Sequence, residues 1–312
     1  MERKDFIKLG SIAATGLALF PRSSALASQV NADSALTAVT KFIEVKGIKF
    51  AYRRFGKKNG LPLIFANYLT GTMDNWDPII LDGFAKDREV IIFDNAGVSA
   101  SGGNTPDNIE AMALDTEGFI DSLGLKQIDL FGFSIGGMVA QQLVMNRPEL
   151  VRRLILSGTG PRGGEKMTDY PAEIWGYFKK HYPHPDELLL DTFFTQSKSS
   201  QDAGWAYLKR IRARTQRDPN IGDKVVPNQL KAIFTWGKPF QGSYDYLRDI
   251  KQPTLIIQAD KDLIMPPINA FILKQNLPNS FLIMYPDTNH GLQYQYPELF
   301  LKQAAMFLND LS

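Results

Sequence analysis

The sequence predicts an α/β domain, a mostly parallel, doubly wound sheet interrupted by an inserted helical cap. Three observations predict it. Short, nearly all-apolar runs recur at 63–66, 90–93, 128–131, 154–156, 255–258 and 281–285, as strands covered on both faces require. Helical patterns separate many of them, at 109–123, 135–145, 266–275 and 297–311, the alternation of a doubly wound sheet. From Gly163 to about residue 250 no strand-like run appears, and Trp175, Tyr177, Phe178, Phe193, Phe194, Trp205, Tyr207, Phe234 and Trp236 recur at helical intervals instead.

The chain begins with a charged stretch, Arg3-Lys4-Asp5-Phe6-Ile7-Lys8, followed by an apolar run over 9–20 and by Ala25-Leu26-Ala27. That order is the order of a secretory signal, with a twin-arginine-like start in which lysine replaces the second arginine. The apolar run is shorter than the roughly 20 residues a bilayer span needs. The expectation is a signal peptide over 1–27, cleavage after Ala27, and a periplasmic or secreted product. An attached amphipathic helix is the alternative. Residues 28–40 read as a linker, 41–163 and 251–312 as the core, and 164–250 as the cap.

The core opens with two strands, 42–45 and 50–53, joined around Gly47 as a hairpin. The apolar run at 128–131 leads into Gly132-Phe133-Ser134-Ile135-Gly136-Gly137, and a helix-like pattern follows until Arg147-Pro148 stops it. In a parallel sheet the functional edge lies at the carboxyl ends of the strands. A serine fenced by glycines there fits a strained strand-to-helix turn that presents its hydroxyl. The helix beginning at Ile135 aims free N–H groups at developing negative charge.

Serine needs a base, and the base needs an orienting acid. Of the three histidines, His290 lies beyond the last strand in "DTNHG", whereas His181 and His184 fall in the cap and read as solvated loop residues. After the strand at 255–258, "QADKDLIMPP" offers Asp260 and Asp262. One of them suffices to orient the imidazole, while the other braces the loop. Asp287 is a weaker third choice.

These stretches together resemble the α/β-hydrolase superfamily over about residues 40–312. The resemblance implies an α/β-hydrolase fold and favours Asp262 as the acid, with Ser134 as nucleophile and His290 as base. "DNAGVSASG" resembles the family's "DxRGxGxS" loop, with Ala96 for the usual arginine and Ser99 for the usual glycine. After the third strand, "FANYLTGTMDNW" carries Asn67-Tyr68 where the family often has His-Gly. Spacing then places the second oxyanion N–H at Leu69, beside the one at Ile135. Asn67 either adds a side-chain donor or bonds its own turn.

Other classes are disfavoured. Net charge is +2, with no block of like charge to attract nucleic acid or an anionic membrane. With no cysteine, thiolate and disulfide chemistry are excluded, and three histidines argue against a metal centre. Gly158-Thr159-Gly160-Pro161-Arg162-Gly163 matches a dinucleotide pattern, but Pro161, Gly164 and Pro171 delay the helix that it needs. No cofactor is expected. The expected function is hydrolysis of carboxylic esters or lactones of small apolar molecules through an acyl-enzyme. Carbon–carbon bond hydrolysis, cofactor-free perhydrolysis (the haloperoxidase-like branch) and a non-catalytic small-molecule sensor are the alternatives. The oligomeric state is open.

Overall fold

The computed structural model describes residues 34–242 and 244–309. The expected signal, its cleavage site and the first part of the expected linker lie outside them. Eight strands form one sheet: β1 (Lys41–Val45), β2 (Ile48–Gly56), β3 (Leu63–Ala66), β4 (Glu89–Phe93), β5 (Ile128–Phe133), β6 (Val151–Ser157), β7 (Thr254–Ala259) and β8 (Ser280–Tyr285). Their spatial order is β1-β2-β4-β3-β5-β6-β7-β8. β2 runs antiparallel to β1 and β4, and all other neighbours are parallel. Lys46 and Gly47 join β1 to β2 with φ of 50° and 83°, the geometry a two-residue hairpin turn demands.

The helices are α1 (Pro78–Ala85), α2 (Ile109–Ser122), α3 (Ile135–Asn146), α4 (Ala172–Lys179), α5 (Leu188–Phe193), α6 (Lys198–Ile211), α7 (Val225–Trp236), α8 (Ile268–Asn276), α9 (Leu292–Gln295) and α10 (Pro297–Asn309). No helix among the described residues is long and apolar enough to cross a membrane. Successive side chains of a strand point to opposite faces, and the core divides accordingly. Ile64, Ile91, Leu130 and Ile256 pack with α2, α3 and α8 on one face. Phe65, Ile92, Phe131 and Ile257 pack with α1 and α10 on the other. At about 25 cal/mol per Å², burial of such aliphatic and aromatic side chains is the main favourable term in folding.

The chain leaves β3 toward β4 on one side and returns to β5 on the other. A crevice opens where strand order reverses in this way. All of α4 to α7 lies between β6 and β7. Polar ties anchor this helical insertion. Arg53 of β2 pairs with Asp74 at 2.7 Å and with Asp218, which follows α6. Arg214 donates to the carbonyls of Ala35, Leu36 and Ala38, at 3.2, 2.8 and 2.8 Å. Ser99, standing where the resembled family has glycine, adopts φ of 50° and donates its hydroxyl to the Pro219 carbonyl at 2.6 Å.

Candidate active site

Ser134 sits between β5 and α3 with φ of 56° and ψ of −121°, a region costly for any residue with a Cβ. The surroundings hold it there. Its N–H donates to the Ser157 carbonyl at 2.9 Å, and its carbonyl accepts from the Thr159 hydroxyl at 2.8 Å. The flanking glycines answer a packing demand: a Cβ on Gly132 would stand 2.6 Å from the Gly136 carbonyl oxygen, and one on Gly136 would overlap the Ala66 carbonyl.

His290 is buried in the loop between β8 and α9. Its Nδ1 lies 2.8 Å from Asp262 Oδ2. The other carboxylate oxygen, Oδ1, accepts the N–H groups of Ile264 and Met265 at 2.9 and 2.8 Å. The Gln258 amide also donates to Oδ2, at 3.3 Å. Asp262 is thus gripped on both oxygens and aimed at the imidazole. Asp260 is exposed and accepts the Thr288 N–H at 3.2 Å, bracing the two loops against each other. Asp287 accepts from Thr195 and Ser197 instead. His181 and His184 are exposed between α4 and α5.

Aromatic rings fix the imidazole plane. Phe133 lies 5.0 Å from it, centroid to centroid, and Phe193 of α5 lies 5.8 Å away, edge-on. The Gly291 N–H donates to the Phe193 carbonyl at 3.0 Å, joining α5 to the loop that carries His290. Gly158 lies against the ring, since a Cβ there would stand 3.3 Å from His290 Cε1. The glycine-rich stretch after β6 therefore serves this site, and no helix begins until Ala172. In the sequence that stretch reads only as a dinucleotide-like pattern lacking its helix, which leaves out Gly158 and Thr159. The signal was their place at the carboxyl end of a strand neighbouring β5.

Ser134, His290 and Leu69 line one cavity of about 40 Å³. Leu188, Leu189, Phe193 and Ile233 of the insertion supply apolar wall, and Tyr170 and Thr192 add hydroxyls. Burial pushes the Tyr170 phenol above its ordinary pKa, and Asp262 adds to the rise. No lysine or arginine lines this cavity among the described residues. No cluster of His, Asp or Glu there is arranged to hold a metal ion.

The loop after β3 presents one free amide. The Tyr68 N–H donates to Asn67 Oδ1 at 3.0 Å, Thr70 to Gln229 Oε1 at 2.7 Å, and Gly71 to the Tyr68 carbonyl at 2.9 Å. The Leu69 N–H has no acceptor among the described residues. Asn67 bonds its own turn through Oδ1, while its buried Nδ2 has no partner among the described residues. Ile135 begins α3, so its N–H has no acceptor within that helix. Tyr68 is buried against Phe133 and Phe193, with ring centroids 5.2 and 5.0 Å away.

A family model for the alpha/beta hydrolase fold matches residues 62–297. Among solved structures, an alpha/beta hydrolase fold protein from Chitinophaga pinensis is 39% identical, with TM-score 0.84, covering 89% of this chain and 100% of that one. Among curated proteins, a poly(3-hydroxyalkanoate) depolymerase from Ectopseudomonas oleovorans is 27% identical over 75% of this chain and 80% of its own. A 2-hydroxy-6-oxononadienedioate/2-hydroxy-6-oxononatrienedioate hydrolase from Escherichia coli O81 (strain ED1a) is 25% identical, with the same coverage.

Proposed function

This chain belongs to the alpha/beta hydrolase family, and from that premise we propose that it is a serine hydrolase of small, uncharged carboxylic esters or lactones. The relatives are hydrolases of several kinds. Ser134 Oγ attacks the substrate carbonyl and His290 takes its proton. Asp262 steadies the imidazolium. The Leu69 and Ile135 N–H groups hold the oxyanion as charge develops. His290 returns the proton to the leaving alkoxide, and water then hydrolyses the acyl-enzyme with His290 again as base.

The observation that carries this reading is the 2.8 Å bond between His290 and Asp262, on a histidine that shares its cavity with a strained Ser134. The apolar wall favours neutral substrates. A dioate of the kind named for the Escherichia coli relative carries two carboxylates, and buried charge needs a partner. Among the described residues the cavity wall offers no cation.

The test is a panel of chromogenic acyl esters graded by chain length, with fluorophosphonate labelling. Wild type turns over the esters, and Ser134→Ala loses both turnover and label. A Ser134→Ala protein with full activity overturns the reading. Export with cleavage after Ala27 belongs to the same proposal, supported by the order of charged, apolar and small residues at the start of the chain. An intact mass of the exported protein that begins at Met1 refutes it.

A further inference from the structure

We propose that Gln229 is a positioning residue that couples the helical insertion to the anion-binding loop, so that the seating of α7 aligns the Leu69 N–H. The proposal rests on the serine-hydrolase reading and extends it to a residue outside the loop and the triad. Gln229 is fully buried on α7. Its Oε1 accepts the Thr70 N–H at 2.7 Å, across 159 residues of sequence. Its Nε2 is buried without a partner among the described residues, where acceptance from Thr70 is the hydrogen bond this side chain makes.

Thr70 shows why the bond matters. Its φ is 66°, and a β-branched residue in the left-handed region is a conformational outlier. Such a conformation persists only where its surroundings over-determine it. Three bonds hold the loop around Leu69. Two are internal, from Tyr68 to Asn67 Oδ1 and from Gly71 to the Tyr68 carbonyl. The third comes from the insertion and fixes the peptide directly after Leu69. Without it, Thr70 relaxes toward negative φ, and the flanking peptide that carries the Leu69 N–H turns with it.

α7 itself is firmly seated. Asn228 donates to the Thr105 carbonyl at 2.7 Å, and the Trp236 indole donates to the Gly160 carbonyl at 3.3 Å. Ala232 and Ile233 lie in the same apolar cluster as Ile135 and Met138 of α3. Gln229 thus carries the position of a packed helix into the loop.

The experiment compares wild type, Gln229→Leu, Gln229→Met and Ser134→Ala in three measurements: kcat and KM on a short chromogenic ester, affinity for a phenylboronic acid that forms a tetrahedral adduct on serine, and Tm. Removing one oxyanion donor lowers kcat by about 10²–10³-fold; a displaced donor is expected to cost about tenfold or more in Gln229→Leu and Gln229→Met, with KM little changed. Boronate affinity falls in parallel, because the adduct uses the same donor. If Gln229→Leu fails to fold, Gln229→Met, closer in length, decides. A folded variant without the acceptor but with wild-type kcat overturns the inference, as does a rise in KM alone. Activity that survives Ser134→Ala marks failure of the underlying reading; loss there with full activity in Gln229→Leu and Gln229→Met marks failure of this inference alone.

Discussion

His290 Nδ1 and Asp262 Oδ2 stand 2.8 Å apart, while Asp262 Oδ1 is occupied by two backbone N–H groups. The carboxylate therefore has one orientation, and it faces the imidazole. An amide cannot accept at both ends. In Asp262→Asn the two backbone donors keep the amide oxygen, the NH₂ turns to the histidine, and the wrong tautomer follows. The expected loss in kcat is about 10²–10⁴-fold. Asp260→Asn, at an exposed position that accepts one N–H, is expected to stay within about threefold of wild type. Steady-state kinetics on the pair, with Tm as a folding control, checks both expectations.

The backbone at Ser134 carries its own prediction. Glycine tolerates φ of 56° and ψ of −121° without the steric penalty of a Cβ. Ser134→Gly and Ser134→Ala are both expected to lose hydrolysis, but the glycine variant is expected to unfold later, by about 1–3 kcal/mol in stability. Paired chemical denaturation measures the difference, and equal midpoints would mean that the turn stores no strain.

Two other glycines separate crowding from freedom. A Cβ on Gly136 meets the Ala66 carbonyl and, at 2.7 Å, that of Asn67, whereas one on Gly176 meets nothing within 4 Å. Gly136→Ala is expected to destabilise by about 1–3 kcal/mol or more, since backbone has to shift. Gly176→Ala, on exposed α4, is expected to stabilise by about 0.5–1 kcal/mol through helix propensity. Thermal unfolding of the two variants gives opposite signs.

Asp94 predicts a pH signature. Burial pushes its carboxyl up to about 7, against the N–H it accepts from Met73; Asp218 pushes the same way and Arg53 the other. The folded chain then holds a proton that the unfolded chain releases near the ordinary carboxylate pKa. Stability from this group falls as pH rises from about 4 to about 7, and the penalty is constant above that. Asp94→Asn keeps an acceptor for Met73 and removes the titration. The Tm of the variant minus that of wild type is expected to rise between about pH 4 and about pH 7 and then level off. A difference independent of pH contradicts it.

Much of the fold was legible because buried parallel strands leave few ways to write them. The uniformly buried runs of β3, β4 and β7 read as apolar blocks. The shortfalls came where charge is buried. β2 runs to Gly56, beyond the expected end at Arg53, because Arg53 lies inside the sheet, neutralised by Asp74 and Asp218 from distant segments. β6 begins at Val151, three residues before the apolar run, because Arg152 reaches the buried Asp129 of β5. No local pattern announces such partners. α1 has no counterpart among the helical patterns read from the sequence, and Gly83 inside it makes room for Leu301 of α10. At the site, Ser134, His290, Asp262 and Leu69 had local motifs. Gln229, Gly158 and Thr159 did not, since what distinguishes them is contact across the fold.

The join between Gly291 and Phe193 has a consequence for traffic through the cavity. Lifting α5 would pull on the turn that carries the imidazole, so α5 is expected to act as a lintel. The doorway then belongs on the flank of α4, where Phe178 both lines the cavity and meets solvent. Amide hydrogen exchange faster in α4 than in α5 is its expected mark, and the reverse order would place the doorway elsewhere.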